Sequence, residues 1–213
     1  MNEAHVRRRP QQERSRVRVE GILDVALEVI VESGAENLAM REVARRAGVP
    51  IGSVYQYFPS KTAILRELAT RNMQHVSALL RQELAALLAE TGGRPTPAET
   101  VSRLIDVFYA HYRDHPGAAA VWAGAQPDPV LRELDVIDTR RTAEFLTPGI
   151  MMLLSLDDRE DAFALALLIA EVTGSAARLA LSVNSPLREQ LIGKLKIMFT
   201  ATLEAHRPKG SPP

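Results

Sequence analysis

This sequence predicts an all-helical protein with a small N-terminal head and a larger helical body, and three observations carry that reading. Apolar residues recur at spacings of three and four from about residue 15 to about residue 206. Gly, Pro and capping residues cut that pattern into about nine segments of helical length. No stretch alternates apolar and polar residues as a half-buried strand does. Of 213 residues, 46% are hydrophobic and 24% charged, enough to build a sizeable core.

Residues 1–14 are polar and Arg-rich without periodicity, which predicts a flexible basic arm. From Ser15 the pattern turns helical, with Ile22, Leu23, Ala26, Leu27 and Ile30 on one face and Gly34 as the stop. Two short helices follow, from about Ala39 to Ala47 and, after Gly48-Val49-Pro50, to about Tyr57. Pro59-Ser60 then punctuates, and Ser60 is a natural N-cap for a long helix from Lys61 to about Glu90. Thr96-Pro97-Ala98-Glu99 is a capping box with proline in the first helical position, and it opens a helix that His115-Pro116-Gly117 closes. A small-residue helix spans about Ala118 to Ala125, and the next starts near Pro129 and runs past Phe145 to an expected kink at Thr147-Pro148-Gly149. Two long apolar helices end the chain, one capped by Ser155 to Asp158 and one by Ser185-Pro186. Residues 207–213, with three prolines, are expected to be disordered. The expected division is an arm over 1–14, a head over 15–62, a body over 63–206 and a tail over 207–213.

Net charge is zero, with 26 basic and 26 acidic residues, but the charges are not spread evenly. The first 71 residues hold 12 basic and 9 acidic groups, so a mildly basic head sits on a mildly acidic body. The chain has no cysteine, which excludes disulfides, thiolate nucleophiles and Cys-ligated zinc. No clear metal cluster, phosphate-cradling glycine loop or nucleophile–base pair is present, so an enzyme is the remote alternative and no cofactor or metal is expected. The His111/His115 pair has ligand-like spacing, but Pro116 ends the helix there and no third ligand is evident. The N-terminus lacks an apolar signal core and no apolar run approaches about 18 residues, so no membrane association and a cytoplasmic location are expected.

The segment Arg41 to Phe58, REVARRAGVPIGSVYQYF, fits a helix-turn-helix position by position. Ala44 stands where the two helices approach most closely and a larger side chain would part them. Gly48 stands where the first helix ends and the backbone needs positive φ. Val43, Val49 and Val54 lock the second helix across the first, which lets that second helix enter a major groove. The run Gly52-Ser53-Val54-Tyr55-Gln56-Tyr57-Phe58-Pro59-Ser60-Lys61 closely resembles the tetracycline-repressor (TetR) family of bacterial regulators. The resemblance covers about Ser15 to Leu65. It implies a helical second domain that binds a small ligand and dimerises through its last two long helices.

The expected DNA contacts are Arg41, Ile51, Gly52, Ser53, Tyr55, Gln56, Tyr57 and Lys61. Gln56 offers the paired donor and acceptor that suit adenine, and Ile51 suits a thymine methyl. Gly52 lets the helix backbone approach DNA, while Tyr55, Tyr57 and Lys61 suit phosphate. The sequence departs from the family at Ala39-Met40, where a Thr or Ser is usual, so a hydroxyl cap and a phosphate contact are missing. Arg7, Arg8 and Arg9 are placed either along phosphates or a minor groove, or in a solvated tail.

In the body, Phe108, His111, Tyr112, Trp122, Asp138, Arg141 and Phe145 are the candidate ligand-pocket residues, for an effector with apolar surface. Gly174, Ala177, Leu181, Ile192, Leu195 and Phe199 are the candidate dimer-interface residues, on helices whose apolar faces are broad for surface helices. The sequence thus points to a homodimeric repressor of a palindromic double-stranded DNA operator, released by a small effector. The alternative is an activator or global DNA-organising regulator with the same head.

Overall fold

The computed structural model describes residues 9–125 and 128–206, with the side chains of 15–124 and 128–206. In chain order these form α1 (Arg9–Ser33), a 3-10 turn (Ala35–Asn37), α2 (Met40–Arg46), α3 (Ile51–Tyr57), α4 (Lys61–Glu90), α5 (Pro97–Asp114), α6 (Pro116–Ala125), α7 (Pro129–Leu154), α8 (Arg159–Leu181) and α9 (Leu187–His206). No strand occurs among the described residues. The chain divides into two compact units, one reaching to Arg71 and including Pro116–Leu131, the other made of Asn72–His115 and the chain from Arg132 onward.

One element boundary differs from the sequence reading. Helix α1 begins at Arg9, inside the segment expected to be a flexible arm. Gln11, Gln12, Glu13 and Arg14 are all good helix formers, so the helix extends backward from its apolar stripe at little cost. Arg7, Arg8 and the tail 207–213 lie outside the described residues. Helix α7 runs to Leu154 with Pro148 inside it, at the position where a kink was expected. Just before the proline, the buried Thr147 hydroxyl donates to the Ala143 carbonyl at 2.7 Å.

The first unit is larger than the expected head. Ile22, Leu23, Ala26 and Ile30 of α1 are buried, as are Leu38, Val43, Val54, Ile64, Val121 and Leu131 from the elements around them. Helix α6 packs on α1 and on the 3-10 turn. Its small residues permit this: a Cβ on Gly117 would lie 2.9 Å from Leu27 Cγ, and one on Gly124 would lie 2.3 Å from Ala35 Cβ. The start of α7 joins the same unit. Asp128 Oδ1 accepts from the Val130 and Leu131 amides, and Thr62 Oγ1 of α4 donates to Asp128 Oδ2 at 3.4 Å. Trp122, expected in the body's pocket, is therefore a buried residue of the first unit.

In the second unit, α9 packs against α8 and α5. The capping box predicted for α5 is formed, with Thr96 Oγ1 accepting from the Glu99 amide at 3.2 Å and Glu99 Oε2 accepting from the Thr96 amide at 2.8 Å. Asp158 caps α8, accepting from the Glu160 and Asp161 amides. Ala162, Ala166, Ala177 and Ala180 of α8 and Ile192, Leu195, Phe199 and Leu203 of α9 are buried within the single chain. The residues expected to face a second copy are among those packed within the chain. Gly174, Ala177, Ile192, Leu195 and Phe199 are core and Leu181 is half-buried. The exposed apolar residues of these helices are Leu168, Leu179, Leu187, Ile197 and Met198. Helix α8 is also, by length and composition, long and apolar enough to cross a membrane, with mean hydropathy 1.6. Glu171 lies at its middle, where a charge would be costly in a bilayer.

The α6 contact sets a stability test. Gly124→Ala should destabilise the protein by about 1–3 kcal/mol through overpacking against Ala35, read as a lowered midpoint in urea unfolding, whereas Gly149→Ala, with open space around its Cβ, should not.

Candidate nucleic-acid interface

Helix α2 is closed by backbone hydrogen bonds that require Gly48. The Gly48 amide donates to the Arg45 carbonyl at 3.3 Å and the Val49 amide to the Ala44 carbonyl at 3.1 Å. This pattern places the residue between them in the left-handed region, and Gly48 has φ 64°. Val43, Ala44 and Val54 are buried, so α2 and α3 meet through small apolar side chains. Phe58 is also buried, as expected of a residue that anchors the end of α3. At the start of α2, Ala39 provides no side-chain hydrogen bond.

The opposite face of α3 is open. Ile51, Gly52, Tyr55 and Gln56 are exposed, and Ser53 is half-buried. A Cβ on Gly52 would meet nothing within 4 Å, so no packing inside the chain demands glycine there. Tyr57 is half-buried and its oxygen accepts from Ser15 Oγ of α1 at 3.2 Å. Lys61 is less free than its position suggests. Its Nζ donates to the Glu36 carbonyl at 2.9 Å and braces the 3-10 turn, which leaves two of its three protons for another acceptor.

The cations of α2 are unequally committed. Glu42 bridges Arg45 and Arg46 at 2.6 Å each, and Arg46 also reaches Glu32 at 2.7 Å. Hydrogen bonds from Arg45 and then Arg46 hold the Glu42 carboxyl well down, at about 2. Arg41 is exposed on the same helix.

In the second unit, the structure gathers part of the expected pocket set. His111 and Tyr112 of α5 are buried, and Phe108 packs edge-on to Tyr112 at 5.2 Å. Two residues of α4 that the sequence reading did not single out complete the group. Asn72 Oδ1 accepts from His111 Nε2 at 2.7 Å while Asn72 Nδ2 donates to the Tyr112 hydroxyl at 2.9 Å. His75 and His115 flank the His111 ring at 5.1 and 4.8 Å. Asn72 and His75 are three apart on one helix face, but only the meeting of α4 with α5 reveals their role. Asp138 is half-buried with its carboxyl pushed up by burial and then by Asp135. Arg141 is exposed, and Phe145 lies under the Arg81 guanidinium at 4.4 Å. Among the described residues, no group of three or more His, Cys, Asp or Glu is arranged to hold a metal.

Comparison with known proteins decides the family. Residues 22–68 match the model described as bacterial regulatory proteins, tetR family, and residues 95–207 match the tetracyclin repressor-like C-terminal domain. The chain belongs to the TetR family. It is 34% identical over 148 residues to the HTH-type transcriptional regulator BetI of Rhizobium meliloti (strain 1021), covering 68% of this chain and 70% of that protein. It is 39% identical over 83 residues to the HTH-type transcriptional repressor KstR of Mycolicibacterium smegmatis (strain ATCC 700084 / mc(2)155), covering 39% and 38%. The crystal structure of a TetR-family transcriptional regulator from Streptomyces coelicolor superposes with a TM-score of 0.65 at 26% identity, over 88% of this chain and 98% of that one. This TetR-family chain is therefore a transcriptional regulator, and its relatives are regulators rather than enzymes.

The buried histidine of this regulator gives a pH signature. Burial first, then His115 and His75, lower the His111 imidazole from 6.5 to about 4. A base whose folded pKa is depressed is protonated more readily in the unfolded chain, so its stabilising contribution is present above the unfolded value and lost on acidification. Stability should therefore fall as pH drops from about 6.5 towards 4, by up to about 1.4 kcal/mol per pH unit for this one proton. Urea unfolding of the wild type and His111→Gln across that window checks it, the variant showing the shallower slope.

Proposed function

We propose that this TetR-family regulator acts in the cytoplasm as a homodimeric repressor of a palindromic operator, released by a small, partly apolar effector. The observation that carries the DNA reading is the open face of α3. Ile51, Gly52, Tyr55 and Gln56 are exposed on a helix whose other face is locked to α2 by Val54. Gln56 reads adenine, Ile51 meets a thymine methyl, and Tyr55 reaches phosphate. Arg41, Ser53, Tyr57 and the spare Lys61 protons add backbone contacts, and the Ala39 amide end of α2 offers N–H groups without a hydroxyl. Two-fold symmetry would set two such helices about 34 Å apart, one turn of DNA.

The dimer reading rests on the exposed stripe of α8 and α9. Leu168, Ser175 and Leu179 recur at helical spacing, and Leu187, Ile197 and Met198 continue the apolar surface. The effector reading rests on the cluster of Phe108, His111 and Tyr112 with Asn72, with Asp138, Arg141 and Phe145 as further lining candidates. Trp122 is withdrawn from that set. Helix α4 carries both Lys61 and Asn72, so a shift at the cluster acts on the helix that braces the head. Coupling of about 1–3 kcal/mol changes operator affinity 5–150-fold, which is enough for a switch.

Selection of bound duplexes from a random pool tests the DNA reading. A palindrome with half-sites one turn apart is expected, and Gln56→Ala should relax preference at a single position per half-site at a cost of about 1–3 kcal/mol. Broad protection of DNA without a palindromic consensus would favour a DNA-organising role instead. In sedimentation, Leu168→Glu with Ile197→Glu should yield a folded monomer that no longer holds the palindrome, since both side chains are already exposed in the single chain.

A further inference from the structure

The chemistry of the effector is legible at one buried atom. His111 is only 7% exposed, and its Nε2 lies 2.7 Å from Asn72 Oδ1. An amide oxygen accepts and cannot donate, so Nε2 carries the proton. Asn72 Nδ2 in turn donates to the Tyr112 hydroxyl at 2.9 Å. A neutral imidazole carries one N–H, so Nδ1 is left as a lone-pair acceptor. That atom is fully buried, and among the described residues it has no hydrogen-bond partner. Buried polar atoms are paired in the great majority of cases, and an orphan acceptor marks a place where a donor belongs.

The surroundings narrow what that donor is attached to. The rings of His75, Tyr112 and His115 stand 5.1, 5.1 and 4.8 Å from the His111 ring, and Phe108 backs Tyr112. His75 and His115 are exposed, so the cluster spans from the surface to the orphan atom. Burial keeps the imidazole neutral, with its pKa at about 4, so the lone pair is available at neutral pH. A carboxylate would set its charge against that lone pair, and the burial that keeps a proton off the imidazole disfavours an ammonium at the same place.

We propose that His111 Nδ1 accepts a hydrogen bond from a hydroxyl or amide N–H of an uncharged, largely apolar effector, with Asn72 as the positioning residue that fixes the tautomer. This rests on the reading that the second unit binds an effector. The test uses the full-length protein, nitrogen-15-labelled at histidine, with 1-octanol and its isomer methyl heptyl ether as probes. Both have the same composition, but only the alcohol donates. The alcohol should bind about fivefold tighter than the ether and move the His111 Nδ1 resonance towards its hydrogen-bonded position. His111→Phe should remove the alcohol's advantage and leave the ether unchanged. If that variant does not fold, the wild-type Nδ1 resonance decides alone.

Equal binding of the two probes with an unmoved Nδ1 resonance would overturn the proposal and leave the effector reading standing. So would an Nδ1 already hydrogen-bonded in the free protein, as a trapped water would make it, and unmoved by the alcohol. If neither probe alters the melting temperature or any histidine resonance, the effector reading falls together with the proposal.

Discussion

The crossing of α2 over α3 is the constraint on which the DNA-binding surface depends. Each helix is seven residues long, and helices of that length do not hold in water on their own. They persist here because Val43, Ala44 and Val54 are buried together and because Gly48 turns the chain within three residues of the last turn of α2. A methyl at position 44 sets the separation, and a left-handed residue at position 48 sets the angle. The open face of α3 is what remains of that helix once that contact is satisfied. The same logic explains the roles of Ser15 and Lys61. One ties α1 to Tyr57 and the other ties the start of α4 to the 3-10 turn, so the ends of the motif are fixed from both sides.

Helix α4 extends that constraint along the chain. Its thirty residues make a rod of about 45 Å, with Lys61 at one end and Asn72 about three turns on. Glu20 and Glu67 both pair with Arg71, the last residue of the first unit, so the rod is anchored just before it enters the second. Asn72, the next residue, and His75, one turn on, meet α5.

The parts of this architecture that local chemistry dictates were legible in the sequence. The capping box at Thr96–Glu99, the stop at Gly48, the open α3 face and the bounds of α4 follow from residues within four or five positions of one another. What was not legible depends on distant partners. Trp122 was assigned to the body by chain order, but Gly117 and Gly124 admit α6 to the surface of α1 and carry it into the first unit. Asn72 gave no signal because a lone Asn on a helix acquires meaning only when His111 and Tyr112 arrive from α5.

The last two helices show why an apolar pattern alone cannot assign a surface. In α8 nearly every position is apolar or small, so periodicity does not say which stripe turns inward. Size settles it. The inward positions Ala162, Ala166, Gly174, Ala177 and Ala180 are small, which lets α8 lie close to α9, whose larger Ile192, Leu195 and Phe199 fill the seam. The larger side chains of α8 are thereby displaced to the outside, and Leu168 and Leu179 are more than half exposed. The residues expected at the interface for their smallness are core for that reason, and the proposed interface falls to the bulky residues instead. Burying each of them against an apolar surface would contribute on the order of 1 kcal/mol.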